Sequence, residues 1–350
     1  MRVLHVDSGR EYRGGQNQVR LLARELGGVP EVVQRVLTRR GSELARRLAA
    51  HGVAVWDVPW GPSLDPRALW QLRRALTRFA PHVVHAHDSH ALQLAHWARR
   101  LVERGGGAPA LVATRRVDFH VRPRSVWFRA DRVIAISEAV KAVLVADGVA
   151  GGAIAVVPSG IDPEEVVRAA ARPLDIRARL GVAPGTPLAV NVAALVDHKD
   201  QRTLIRAALA ARTSRPDLHW AVAGEGELRR ALAAEITRLS LEDRVHLLGY
   251  VPEADALIRE ADVFVMSSKE EGLGSVVLHA LALGRPVVAT RGGGLPEVVP
   301  PAALVPVGDA AALARKVVEA LDRPAPVPLP LRLTATAMAR GVLAVYHTLV

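Results

Sequence analysis

The sequence contains no cysteine, which excludes a disulfide framework, a cysteine-ligated zinc or iron–sulfur centre and a thiol nucleophile. Aromatic residues are few, with 3 Tyr and 4 Phe, and this leaves little on which single-stranded nucleic acid could stack. No nucleic-acid recognition motif appears, so nucleic acid is not an expected partner. No run of about 18 apolar residues occurs, which excludes a spanning helix. The start, Met1 to Asp7, is a short strand pattern ending in an acid and lacks the long apolar stretch of a signal peptide. A cytoplasmic protein is expected.

What is present is a chain of 350 residues, 50% hydrophobic and 23% charged, an ordinary globular composition and long enough for two domains. The charge is unevenly spread. Residues 1–172 carry 26 Lys and Arg against 16 Asp and Glu, whereas residues 173–350 carry 20 against 19. A basic half attracts anionic substrates or an anionic membrane leaflet. Five of the six tryptophans, Trp56, Trp60, Trp70, Trp97 and Trp127, lie in that half, so a peripheral membrane contact at the cytoplasmic side is an expectation.

Apolar β-branched runs alternate with helical patterns from end to end, the rhythm of parallel sheets covered on both faces. Strands are expected near 2–7, 32–38, 53–57, 82–86, 109–114, 131–136 and 154–157, then near 187–192, 218–223, 244–248, 262–266, 286–290 and 302–305. In the second half helices are expected near 201–213, 226–239, 274–283 and 309–322. Pro158, Gly160, Pro163, Pro173 and Pro184 interrupt the rhythm, which divides the chain into domains of 1–165 and 166–330. A proline-rich break from Pro324 to Pro330 precedes a last helical pattern over 331–349.

In open α/β sheets ligands bind beyond the carboxyl ends of the strands, so strand-to-loop junctions carry most weight. The richest runs from Met266 through Ser267, Ser268, Lys269, Glu270, Glu271, Gly272, Leu273 and Gly274 to a helix starting near Ser275. Free amides at that start make an anion site. Glu271, one short loop away, is placed to accept from hydroxyls on whatever phosphate binds there, which suggests a sugar phosphate. The same glycines also satisfy a plain turn with Glu271 as a cap. A second junction carries Lys199 after a strand, and a third carries Gly224, Glu225 and Gly226. A fourth, His85, His87, Asp88 and His90, looks at a glance like the HxHxDH zinc pattern of metallo-hydrolases, but its Asp is fourth rather than fifth. No metal is therefore expected, and His87 and Asp88 either face a ligand or cap the helix from Ser89.

These junctions, taken in order with Gly14 and Gly15 after the first strand, Ile136 to Glu138, Val157 to Asp162, Leu248 to Tyr250 and Gly292 to Glu297, resemble the retaining, nucleotide-sugar-dependent glycosyltransferases of family 4. The resemblance covers nearly the whole chain. It implies the GT-B fold, α/β, with two doubly wound Rossmann-like domains facing across a cleft and a C-terminal helix, 331–350, crossing back to the first. It implies transfer of a sugar from a nucleotide diphosphate donor, UDP- or GDP-linked, to a glycan or lipid-linked acceptor with retention, in lipopolysaccharide or cell-envelope glycan synthesis. The departing phosphate would help deprotonate the acceptor.

Under this resemblance Lys199 neutralises the leaving diphosphate and Glu271 orients the sugar, and Gly272, Leu273, Gly274 and Ser275 surround them. Gly14 and Gly15 close on the donor, Gly224 and Glu225 shape the nucleotide pocket, and the backbone of Tyr250 and Val251 reads the base. Two positions depart from the family pattern. Ala194 stands where an Arg normally partners the Lys, a place that Arg202 or Arg13 would fill, and His279 stands where a Glu grips the ribose. His87, Asp88, Arg115 and Arg116 fall on the acceptor side, the arginines as phosphate contacts or as a solvated basic loop. No cofactor is implied, and no Asp-x-Asp metal motif accompanies the constellation. Two other classes compete: a nonhydrolysing sugar-nucleotide epimerase, and a catalytically weak glycan-binding subunit.

Overall fold

The computed structural model describes residues 1–61, 65–103 and 108–350. They divide into two compact units, Met1–Gly160 with Leu331–Val350, and Ile161–Pro330.

The first unit is built on a seven-stranded parallel sheet of order β3-β2-β1-β4-β5-β6-β7. Its strands are β1 (Arg2–Asp7), β2 (Val33–Arg39), β3 (Val55–Val58), β4 (Val83–Ala86), β5 (Ala110–Arg115), β6 (Arg132–Ala135) and β7 (Ile154–Val156). The helices between them are α1 (Gly14–Gly27), α2 (Glu43–Ala50), α3 (Pro66–Phe79), α4 (Ser89–Glu103) and α5 (Glu138–Ala146). Each start has a local cause. Asp65 accepts from Arg67 N at 2.8 Å with Pro66 in the first turn, and Ser137 accepts from Val140 N at 3.0 Å. Because the order reverses between β1 and β4, right-handed crossovers put α1 and α2 on one face and α3, α4 and α5 on the other.

The second unit has a six-stranded parallel sheet of order β10-β9-β8-β11-β12-β13. After α6 (Pro163–Ala169) and α7 (Ile176–Arg179) come β8 (Leu188–Val192), α8 (Gln201–Ala211), β9 (His219–Ala223), α9 (Arg229–Arg238), β10 (Val245–Gly249), α10 (Ala254–Glu260), β11 (Val263–Met266), α11 (Ser275–Ala282), β12 (Val287–Thr290), β13 (Leu304–Val305) and α12 (Ala310–Asp322). Trp220, Leu204, Ile205, Leu232, Leu313 and Val317 fill the core between sheet and helices. The strand order again reverses, between β8 and β11, so the helices after these two strands leave on opposite faces and the loops before them mark the switch point at the carboxyl edge.

The chain then re-enters the first unit. A 3₁₀ turn over Leu331–Leu333 precedes α13 (Ala335–His347), which starts four residues later than the helical pattern because Thr334 caps it, accepting from Ala337 N at 3.3 Å. Met338, Val342, Val345 and Tyr346 pack into one cluster with Leu21, Leu22 and Leu26 of α1 and Val3 of β1. Two other boundaries differ from the sequence pattern. The expected helix from 226 begins at Arg229, because Gly226 and Leu228 spend their backbone groups on a turn against Leu195. The expected strand over 302–305 shortens to Leu304–Val305, because Pro301 opens a 3₁₀ turn.

Candidate active site

At the carboxyl edge of the second sheet three strand exits, those of β8, β9 and β10, are laced together. Ala193 N donates to Ala223 O at 3.0 Å, Leu195 N to Glu225 O at 2.9 Å, Gly224 N to Gly249 O at 2.8 Å and Leu228 N to Leu195 O at 3.0 Å. Gly224 sits at φ 143°, and a β-carbon there would stand 1.9 Å from Ala193 O. Only glycine permits this approach.

The loop after β11 lies on the loop after β8. Lys269 N donates to His198 O at 2.8 Å, and Ser267 Oγ donates to Lys199 O at 3.0 Å. These anchors bring the Lys199 ammonium onto the Glu271 carboxylate, an ion pair whose side chains are 16% and 13% exposed. Ser268 Oγ lies 3.5 Å from the same carboxylate oxygen. Gly274, at φ 81°, is the N-cap of α11 and offers no side chain to its first turn. A β-carbon on Gly274 would lie 3.5 Å from Glu271 Cγ, so the uncapped helix start opens beside the ion pair. A cation and free amides attract an oxyanion, while a carboxylate accepts from hydroxyls. The three meet in one place.

The first unit gathers a second polar cluster at the ends of β1, β4 and β5. Arg116 is the key to its protonation. A guanidinium only donates, so Arg116 Nη2, 3.4 Å from His87 Nδ1, makes that nitrogen the acceptor. His87 Nε2 then carries the proton and donates to His5 Nδ1 at 3.0 Å. His85 is held on both sides, by Tyr346 Oη and Thr114 Oγ1, each at 2.6 Å. Burial pushes His5 down to about 4. It also holds His85 and His87 well below the ordinary imidazole range, with neighbouring positive charge adding to the effect.

Beside them lies Asp7, raised to about 6 by burial and then by the charge of Asp88. It accepts from Gly9 N at 2.9 Å and from Gln16 Nε2 at 3.2 and 3.3 Å. Burial lowers Arg116 to about 10, which leaves it charged at neutral pH. Its Nε and Nη1 are buried with no acceptor. His5, His85 and His87 each bring one nitrogen within 4.8 Å of the others, close enough for a metal ion. All their ring nitrogens except His5 Nε2 are nevertheless already partnered within the protein, and a guanidinium adjoins them. The hydrogen-bond relay accounts for the cluster more completely than a metal does.

Two family models divide the chain between them. Glycosyltransferase Family 4 matches residues 12–165, and Glycosyl transferases group 1 matches residues 174–340. The chain belongs to family 4 of the glycosyltransferases. Among curated relatives, a 2-deoxystreptamine glucosyltransferase of Streptomyces kanamyceticus is 33% identical over 205 residues, 57% of this chain and 53% of the relative. A putative colanic acid biosynthesis glycosyltransferase, WcaL of Salmonella typhimurium, is 29% identical over 222 residues, 59% of this chain and 52% of the relative. The chain spans about half the length of the curated relatives it matches. Among solved structures, Anabaena HepE in complex with UDP superposes with a TM-score of 0.81 at 20% identity, covering 99% of this chain and 100% of that one. A glycosyltransferase from Rickettsia africae gives 0.82 at 16%, covering 99% and 98%. The architecture is GT-B.

Within this family 4 chain the expected residues fall into three groups. Lys199, Glu271, Gly272, Leu273, Gly274 and Ser275 share one loop cluster. Gly224 and Glu225 adjoin it through the bond from Leu195 N to Glu225 O. Tyr250 and Val251 follow Gly249 on the neighbouring strand, with the Tyr250 ring 75% exposed. In the first unit Gly14 and Gly15 open α1, and Gly15 lies near Arg116, whose Cδ would be 3.8 Å from a β-carbon there.

Others are engaged within the protein itself. Arg202 does not replace the cation missing at Ala194: it is drawn to Glu235 of α9 at 3.1 Å, a buried carboxylate that also holds Arg206. Arg13 is exposed and paired with Glu11. Asp88 caps α4, accepting from His90 N at 3.0 Å and Ala91 N at 2.8 Å, and also holds Ser8 N at 2.8 Å and Ser8 Oγ at 2.6 Å. It is therefore a clamp between the end of β1 and α4, with Oδ1 accepting three bonds and Oδ2 one. Arg115 lies over the Trp127 ring, 5.1 Å from its centroid, and donates to Phe119 O at 2.6 Å, so it braces its own loop. His279 Nδ1 lies 2.6 Å from Asp255 Oδ1 on α10, which leaves only Nε2 for any ribose contact. Asp7, Gln16 and Lys269 were not foreseen. The acid closing the first strand was visible, but its burial was not.

Proposed function

We propose that this chain transfers a sugar from a nucleotide diphosphate donor to a hydroxyl of a glycan or lipid-linked acceptor, with retention of anomeric configuration, in envelope or exported glycan synthesis. The observation that carries the reading is the Lys199–Glu271 pair at the uncapped start of α11. HepE in complex with UDP-glucose, the lipopolysaccharide core glycosyltransferase LpsE and WcaL support the class of reaction.

The pair suggests an exchange of partners. An arriving diphosphate takes the Lys199 ammonium and the first amides of α11, and the freed Glu271 carboxylate accepts from hydroxyls of the attached sugar. As the glycosidic bond breaks, negative charge grows on the leaving phosphate, and a cation and dipoles already in place stabilise it without reorganisation. The same phosphate removes the acceptor proton, so the protein works by positioning and by charge. UDP- and GDP-sugars remain the donor classes, with no metal assigned. On the acceptor side Arg116 has two bare donor nitrogens beside Asp7, and a sugar hydroxyl accepts from the guanidinium and donates to the carboxylate. His87 holds Arg116 from behind.

The test is a thermal-shift screen of UDP-, GDP- and ADP-sugars on the wild type, Lys199→Met and Glu271→Gln. One class should raise the melting temperature of the wild type, Lys199→Met should abolish the shift with nucleotide alone, and Glu271→Gln should abolish only the added shift due to the sugar. Equal shifts in all three proteins would remove the pair from the site.

A further inference from the structure

The excess of positive charge belongs to one unit. Residues 1–160 with 331–350 hold 26 Lys and Arg against 13 Asp and Glu, whereas residues 161–330 hold 20 against 22. Within the first unit the excess has a definite address. Helix α3 contains Arg67, Arg73, Arg74 and Arg78 and no acidic residue. Its apolar side, Ala68, Leu72, Ala75 and Leu76, is buried against the sheet. At 100° per residue Arg67, Trp70, Arg74 and Arg78 fall within about 80° of one another on the opposite side. All four are exposed.

Among the described residues none of these arginines has a carboxylate within ion-pair distance; Arg74 lies over the Trp70 ring, and Arg67 feels the charge of Asp65 without pairing with it. This sets α3 apart from α2, where Arg46 and Arg47 both pair with Glu43. Among the described residues two acids lie close to α3. Asp65 is its N-cap, committed to Arg67 N and Gly61 N, and Asp57 lines a hollow of 220 Å³ with Arg74 and Arg78. Two large aromatic side chains stand in the same surface. Trp70 is 53% exposed, with the Arg74 guanidinium 5.4 Å from its ring centroid. Trp97, on α4, is 48% exposed. The helices α3 and α4 pack side by side on one sheet face, so their outer sides are continuous. Trp60 and Trp127 are buried in the core and Trp56 is half-buried under Arg35, so Trp70 and Trp97 are the indoles that remain for an interface.

We infer that the outer face of α3 and α4 is a docking surface for a bilayer carrying anionic lipid. Four guanidinium groups with no ion-pair carboxylate among the described residues supply the attraction, and two indoles, apolar in body and polar at the N–H, are suited to the headgroup level. Among the described residues no helix is long and apolar enough to cross a membrane. The buried apolar side of α3 is already spent on the core, so the contact is peripheral. A lipid-linked acceptor would then be met where it resides. The inference does not depend on the transfer chemistry.

The experiment is co-sedimentation of the full chain with vesicles of phosphatidylcholine alone or with 30% phosphatidylglycerol (roughly 1 kcal/mol is expected per well-placed cation), at low and high salt. The wild type should pellet with the anionic vesicles only, and added salt should release it. The triple variant Arg67→Gln, Arg74→Gln, Arg78→Gln should bind about a hundredfold more weakly. The pair Trp70→Ser, Trp97→Ser should bind more weakly at every salt concentration. Arg46→Gln with Arg47→Gln, on the other sheet face, should bind as the wild type does. All substitutions are at exposed positions, and unchanged melting temperatures confirm folding. Equal binding by the triple variant and the α2 control, indifference to phosphatidylglycerol, or tighter binding to an oligonucleotide or heparin than to the vesicles would overturn it. Failure here with a positive nucleotide-sugar shift leaves the proposed reaction standing.

Discussion

Acid should destabilise the first unit, and Asp7 should be the residue that restrains the loss. An unfolded histidine binds its proton near pH 6.5, whereas folded His5 does so only near 4, and burial holds His85 and His87 well below the ordinary imidazole range. Below pH 6.5 the unfolded chain therefore holds more protons at these three sites, and stability falls as pH falls. Asp7 acts in the opposite sense. Folded, it takes a proton near pH 6, while the unfolded carboxyl waits until 3.8. Between those values it adds stability as pH falls. Each proton of difference is worth about 1.4 kcal/mol per pH unit. Three histidines less one aspartate leave two, so below about pH 6 the slope approaches at most about 2.7 kcal/mol per pH unit. Asp7→Asn removes the opposing group and steepens it to about 4 kcal/mol per pH unit. At pH 7 the same substitution relieves a buried carboxylate and gains up to about 3 kcal/mol, an advantage that should vanish near pH 4. Urea unfolding at pH 7, 6, 5 and 4.5 measures both slopes. A Trp220→Phe background confines the fluorescence signal to the first unit, which holds the other five tryptophans. Parallel curves for the two proteins would show that Asp7 is not raised and refute the reasoning.

Other outcomes follow from contacts described above. Lys199→Met and Glu271→Gln each strand or neutralise one half of an enclosed ion pair, and each should cost the second unit about 1–3 kcal/mol. The double variant should cost at least about 1 kcal/mol less than their sum, and additive values would mean the two groups do not couple. Gly224→Ala forces a methyl group against Ala193 O at an unfavourable φ and should lower stability by more than about 3 kcal/mol, with a melting temperature within a degree of wild type counting against the tight approach. Tyr346→Phe leaves His85 Nδ1 without its hydroxyl partner and should cost about 1–3 kcal/mol; an unchanged urea midpoint would show that the bond contributes nothing.

The legibility of the chain varied with the range of the interaction concerned. Alternating apolar runs marked nearly all strands within a residue or two, because a strand in a covered parallel sheet must be apolar wherever it is buried, a local requirement. The glycine-bounded loop from Ser268 to Gly274 and Lys199 were legible for a related reason: a turn, a helix start and a strand exit each leave a mark of a few residues. Arg202 was misjudged on the same footing, since its proximity in sequence to Lys199 says nothing about a buried carboxylate 33 positions further along on α9. Asp88 and Arg115 stand beside functional positions yet serve as a cap and a brace.

By itself the amino-acid sequence determined two doubly wound units, the family, the two loops that carry Lys199 and Glu271, and the basic bias of the first half. Tertiary structure alone decided which charges are free. Side chains drawn from β1, β4, β5, the loop after it and α13 meet around His85 and His87, and only their mutual burial lowers three imidazoles, raises Asp7 and leaves Arg116 with bare donors. Pairing depends on distance in space, and the energy of a charge depends on how much water remains around it; neither quantity is written in the order of the residues.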